Sequence, residues 1–254
     1  AKILARVCGF EVTRIQFTND LLPADITGSA FFNSTSNDFE FRPGPLFGHF
    51  VLADELNRAT PKTQSALLQA MEERHITVDG KTFELKEPFV VLATQNPFEQ
   101  VGTFPLPESQ IDRFTMGLVL EFPEREFERK ILQQGDTTDQ IKSIGEGLGG
   151  KKLAEIRKAV SKIHLADSLY DYILDLLNYG RKNFSTGHAL SPRSGKDLVQ
   201  TSKTLAWIRG RDFVLPEDVQ ELLPNIWGHR VGGSRGLQGG MSEIDRLIKE
   251  IPLP

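Results

Sequence analysis

The sequence predicts an α/β domain built on a parallel sheet with inserted hairpins, followed by an all-helical domain. Three observations predict it. Two short, nearly continuous apolar runs, HFVLA at 49–53 and FVVLA at 89–93, have the look of central parallel strands covered on both faces. A helical pattern lies between them, which gives the strand–helix–strand alternation of a parallel sheet. Beyond residue 150, helical periodicity replaces the strand patterns.

The elements follow in order. AKILARV at the start reads as the middle or end of an amphipathic helix. EVTRIQF at 11–17 alternates as a strand does, with Val12 and Ile15 among its apolar positions. After HFVLA, Thr60 caps a helix that opens on Pro61 and places Leu67, Ala70 and Met71 at helical spacing. In ITVDGKTFEL, 76–85, Asp79-Gly80 separates two alternating runs, a hairpin signal with a two-residue turn. Such a hairpin adds nothing to the main sheet. Met116–Leu120 offers one more strand. The polar, glycine-rich 135–150 suits a linker. Helical segments are expected near 151–163, 168–181, 192–208 and 216–223, the last opened by Pro216, Glu217 and Asp218. GGSRGLQGG at 232–240 reads as a flexible loop and 241–251 as a final amphipathic helix, with Trp207 and Trp227 in the helical core.

Composition narrows the class. With 254 residues, 39% hydrophobic and 25% charged, the chain is that of an ordinary soluble globular protein. A net charge of −4 supplies no bulk basic field for nucleic acid. Cys8 is the only cysteine, so internal disulfides and cysteine metal clusters are excluded, which fits a reducing, cytoplasmic setting. The histidines, His49, His75 and His164 among them, show no metal spacing. No apolar run is long enough to span a bilayer, and no signal peptide is read.

The chemistry gathers around FVLADELNRA, 50–59. Asp54 and Glu55 fall at the C-terminal end of a buried parallel strand, where open α/β sheets bind ligands. One carboxylate can hold Mg²⁺ through water while its neighbour polarises an attacking water. No cation stands beside them in sequence, and the metal would supply the missing charge. A solvated acidic turn is the bland alternative. Asn96 follows the second buried strand; if the two strands are neighbours it reaches the same crevice, although Asn96-Pro97 also suits a turn. Arg113, in LPESQIDRF at 106–114, suits an arginine finger or a solvated surface. Arg193, in LSPRSG at 190–195, lies in a helix first turn, where the dipole disfavours a cation and an anionic ligand would compensate.

DELNRA with PKTQSALLQAMEE, the VDG hairpin, ATQNP, LPESQIDRF and SPR together resemble the MoxR family of AAA+ ATPases. FTNDLLPADITG at 17–28, FRPGPLF at 41–47, GRDFVLPEDVQ at 210–220 and HRV at 229–231 carry the resemblance through nearly the whole chain. It implies an AAA+ base domain at 1–134, a linker at 135–150 and a helical lid at 151–254. Asp54 would be the Walker B aspartate serving Mg²⁺, Glu55 the catalytic glutamate and Asn96 the first sensor. Arg113 would be the finger, Arg193 the second sensor and Arg58 a contact between subunits. The segment near 28–42 would be the clade insertion, and 74–88 the hairpin before the first sensor. Ring oligomers, usually hexamers, that hydrolyse ATP and remodel client proteins beside von Willebrand factor A domain partners are implied.

One part of that pattern is absent. A P-loop closes a glycine-rich turn on Lys and Ser or Thr, so that backbone amides cradle phosphates. GxxxxGK[ST] does not occur; RSGKD at 193–197 and GGKK at 149–152 lack the needed residues. The resemblance places the P-loop just before AKILARV, and the expectation is that a segment upstream carries it. These 254 residues alone are then expected to bind ATP poorly. Two further readings stand beside the motor: an AAA-like scaffold without hydrolysis, and a DNA-remodelling motor, which the net charge disfavours.

Overall fold

In the first half of the chain, apolar runs become strands and the polar stretches between them become helices and hairpins. Helix α1 (Lys2–Cys8) ends on Gly9 in the left-handed region and leads to strand β1 (Val12–Gln16). A short helix, α2 (Pro23–Thr27), precedes a hairpin of β2 (Gly28–Asn33) and β3 (Asp38–Pro43). Strand β4 (Phe50–Asp54) follows, then α3 (Pro61–Glu73), the hairpin β5 (His75–Val78) and β6 (Lys81–Glu84), and β7 (Val90–Ala93). The computed structural model describes residues 1–96, 102–133, 145, 147–186, 190–233 and 236–254. By its contacts the chain forms two units, Ala1–Leu106 with Glu128–Leu153, and Pro107–Phe127 with Ala154–Pro254.

In the first unit β1, β4 and β7 pair in parallel, with β4 in the middle. Phe50, Val51 and Ala53 of β4 are buried, as the apolar run predicts, while the edge strand β7 is half-buried throughout. Helix α3 starts as its sequence specifies. Thr60 Oγ1 accepts the Thr63 N–H, Pro61 takes the first position, and Leu67, Leu68 and Ala70 are buried. Asp79 and Gly80 both have positive φ, 50° and 76°, which the tight hairpin turn between β5 and β6 requires. The segment at 28–42 forms the β2–β3 hairpin, and its Phe41 stacks on Phe83 of the second hairpin with ring centroids 4.1 Å apart.

Among the described residues the second unit is helical, save one isolated bridge between His164 and Phe213. Its elements are α4 (Glu108–Ile111), α5 (Arg125–Gln133), α6 (Gly149–Ser161), α7 (Asp167–Asn183), α8 (Pro192–Ile208), α9 (Pro216–Val231) and α10 (Gly236–Glu250), with α5 and α6 each running across a unit boundary. Leu176, Leu198, Leu223, Ile226, Trp227, Ile244 and Leu247 form its core. Among the described residues no helix is long and apolar enough to cross a membrane.

Four local expectations change. Met116–Leu120 is not a strand: Gly117 exchanges backbone and side-chain bonds with Asn225 of α9 instead of joining a sheet. Helix α9 runs past Pro224 to Val231, because the proline removes one N–H while fully buried Ile226 and Trp227 hold the far half in the core. Trp207 is exposed; only Trp227 is core, its indole N–H donating to the Ser194 carbonyl. The glycines of 236–240 are helical rather than a loop. A Cβ on Gly240 would fall 2.0 Å from the Gly228 carbonyl oxygen, so that glycine serves the close approach of α9 and α10. The linker expected at 135–150 lies largely outside the described residues, and its end, from Gly149, begins α6.

Candidate active site

Parallel pairing in register sets Gln16 opposite Asp54, and Thr94 follows β7 directly. Strand geometry then turns Arg14 and Gln16, two apart on β1, to one face of the sheet. Arg14 lies against Asp54, with Nε 3.0 Å and Nη2 2.5 Å from Oδ2. Its Nη2 also donates to the Gln16 side-chain oxygen at 2.8 Å. The Gln16 amide passes the chain on, donating to Glu55 Oε2 at 2.8 Å, and Arg58 Nη1 reaches the same oxygen at 3.0 Å. The cation that the sequence lacks beside the two acids comes partly from the neighbouring strand and partly from one turn downstream.

Thr94 is the hinge of the arrangement. Its hydroxyl donates to Asp54 Oδ1 at 2.5 Å and accepts the Glu55 backbone N–H at 2.9 Å. Its carbonyl takes the Leu56 N–H at 3.0 Å. These bonds hold Glu55 in the left-handed region, φ 55° and ψ 47°, a conformation that costs a non-glycine residue of order 1–3 kcal/mol. Glu55 is thereby turned off the line of β4, so adjacent carboxylates take different directions. The Thr94 hydroxyl, with Arg14 second, holds the Asp54 carboxyl below the usual carboxylate range. An ionised carboxylate with a hydroxyl beside it fits a hard divalent cation held through water. Asn57, next along, is buried with its side-chain oxygen unpartnered. Asn96 stands two residues beyond Thr94, on the chain leaving the strand beside β4.

Arg113 and Arg193 belong to the second unit, where one network joins their neighbourhoods. Ser191 caps α8, accepting the backbone N–H groups of Arg193 and Ser194. Its own hydroxyl donates to Asp112 Oδ2 at 2.7 Å. Asp112, the residue before Arg113, also accepts Arg230 Nε at 2.9 Å, and Arg230 Nη2 reaches Asp197 Oδ2 at 2.5 Å. Arg230 is fully buried. Burial pushes the Asp197 carboxyl up, against the pull of Arg230. Beside it, His229 Nε2 donates to the Phe114 carbonyl at 2.8 Å, and burial, then the charge of Arg230, pulls the imidazole down to about 4.

The structure therefore brings Asp54, Glu55 and Arg58 together and adds Arg14, Gln16 and Thr94, which the sequence reading did not single out as partners. The alternating polar positions of β1, opposite an acid pair, were the available signal. It likewise adds Arg230 to Arg113 and Arg193, for which the HRV motif was the trace.

Comparison with known proteins supports one lineage. The model of the ATPase family associated with various cellular activities (AAA) matches residues 1–116, and that of the AAA lid domain matches 182–251. The chain is 41% identical over 230 residues to the uncharacterised protein YeaC of Bacillus subtilis, covering 91% of this chain and 72% of the relative. It is 39% identical over 237 residues to the chaperone MoxR1 of Mycobacterium tuberculosis, covering 89% of this chain but only 62% of that protein, and 30% identical over 282 residues to the protein MoxR of Paracoccus denitrificans, covering 100% of this chain and 83% of that protein. A crystal structure from Cytophaga hutchinsonii, of a protein carrying a provisional ATPase name, superposes over 99% of this chain and 80% of that one, with a TM-score of 0.82 and 33% identity.

Proposed function

The chain belongs to the MoxR family of AAA+ ATPases, and from that premise we propose that it is an ATP-hydrolysing motor that remodels or matures partner proteins. The observation that carries this reading is the paired carboxylate at the end of β4. Asp54 is held ionised by Thr94 and Arg14, while Glu55 is turned aside by its left-handed backbone and held at its tip by Gln16 and Arg58. Such a pair divides labour: one acid retains a cation and the other takes a proton.

In this reading Asp54 would hold Mg²⁺ through water. Bound there, the metal would supply positive charge to offset that of the phosphates. Glu55 orients the attacking water and accepts its proton. Asn96 orients the same water or touches the terminal phosphate without adding charge. Arg193 contacts the nucleotide of its own subunit, and Arg113 stabilises charge at the site of a neighbouring subunit. Arg58 lies at the contact between subunits. Residues 1–254 contain no P-loop, so they supply the metal, water and charge-stabilising side of the site rather than the phosphate cradle. The base at 1–134 and lid at 151–254 would move against each other through the cycle, in a ring, usually a hexamer. A von Willebrand factor A domain protein would be its partner and a client protein its substrate, in the cytoplasm.

The test is Glu55→Gln in the full-length polypeptide. Turnover should fall by about 10²–10⁴-fold with nucleotide binding retained. Undiminished turnover would remove the role given to Glu55. A wild-type protein that assembles but never turns over ATP would instead make the chain a scaffold.

A further inference from the structure

We infer that Arg230 is a positioning residue of this ATPase: it locks the segment carrying Arg113 to the helix turn carrying Arg193, so that the two cations are presented by one rigid block. The inference rests on the ATPase reading above and concerns residues of the second unit alone.

Arg230 uses its whole donor fork. Nε holds Asp112 Oδ1 at 2.9 Å, and Nη2 holds Asp197 Oδ2 at 2.5 Å and the Asp112 carbonyl at 3.2 Å. Nη1 reaches the Thr115 carbonyl at 3.4 Å and also donates to the Ile226 carbonyl of its own helix. The bonded groups bracket Arg113 on both sides. Phe114 is fixed as well, through His229, and Gly117 through Asn225. On the other side, Asp197 lies one helical turn beyond Arg193, and Ser191 joins the α8 cap to Asp112. The backbone around Arg113 and the first turns of α8 thus share one guanidinium.

Stability alone does not call for this arrangement. A buried ion triad is commonly no more stable than apolar residues of similar volume, because desolvation offsets the attraction. What it supplies here is a fixed geometry with directional bonds. A finger and a sensor act through placement, and displacement by about 1 Å can cost roughly 10²-fold in rate.

The test is a double-mutant cycle on steady-state ATP hydrolysis by the full-length protein. Arg230→Lys keeps the charge but loses the planar fork, and an ammonium cannot span both carboxylates in the same geometry. It should lower kcat roughly 10–100-fold and raise KM several-fold. In an Arg113→Ala background the same change should lower kcat little further, and in an Arg193→Ala background it should raise KM little further, because the groups it acts through are gone. A residue that merely stabilises the fold would give losses that multiply in both backgrounds. Multiplying losses, or wild-type kinetics in Arg230→Lys beside defective Arg113→Ala and Arg193→Ala, would overturn the inference. Full activity in those two alanine variants would overturn their assigned roles and this inference together. Should Arg230→Lys not unfold cooperatively, Asp197→Asn, which keeps an acceptor for Nη2 but not its charge, takes its place in the same cycle.

Discussion

The two units carry charged clusters of similar make-up and opposite character. At the end of β4, Arg14 and Arg58 are 57% and 43% exposed, over carboxylates that are about one quarter exposed. In the helical unit Arg230 is fully buried, over carboxylates 13% and 20% exposed. The first kind of pair is cheap to break, because water and salt replace each partner. The second kind is not, because a buried charge left alone has nothing to replace its partner. The difference matches the tasks proposed for them. A site that exchanges substrate and cation each cycle needs contacts that let go, whereas a block that places two arginines needs contacts that hold.

The strongest way to break this comparison is Arg230→Met, which leaves Asp112 and Asp197 facing an apolar side chain. It should cost about 3–5 kcal/mol in urea unfolding and should be nearly independent of salt. A loss below about 1 kcal/mol would mean that water reaches the cluster and that the two sites do not differ in kind.

A smaller effect is expected from His229. A carbonyl can only accept, so the bond to Phe114 requires the proton on Nε2, and the neutral ring then leaves the buried Nδ1 with no donor among the described residues. Its pKa of about 4 lies below the ordinary 6.5, so the folded state favours the neutral ring. The unfolded chain then binds the proton first as pH falls. Stability from this group is complete above pH 6.5, falls between 6.5 and 4, and levels off below, by about 3 kcal/mol in all. His229→Gln, which can still donate to Phe114, should flatten that part of the stability–pH curve. An unchanged curve would refute the placement.

The smallest effect is expected from Arg14→Met. Losing an exposed pair should alter stability by less than about 1 kcal/mol, and 1 M salt should hide the difference. The Asp54 carboxyl should titrate higher in the variant by NMR, though still below its ordinary range, because the Thr94 hydroxyl is the larger influence. An equally large stability loss at Arg14 and at Arg230 would erase the contrast from which these expectations start.

Much of this was written locally. The HFVLA run, the Thr60-Pro61 helix start and the Asp79-Gly80 turn each follow from a few neighbouring residues, and each forms as read, whereas FVVLA is a strand but a half-buried edge one rather than a central strand covered on both faces. Where local rules failed, packing decided. Glycines that suggest a loop became a helix contact, and a proline that suggests an end was carried through by buried neighbours. The sequence by itself determined strands β1 and β4, the Thr60 cap and the β5–β6 hairpin. Only the tertiary structure decided what holds Asp54 and Asp112. Arg14 and Thr94 lie 40 positions from Asp54, and Arg230 lies 118 from Asp112. Periodicity and capping act over a few residues, whereas such partners are set by strand register and helix packing, which no short stretch of chain contains.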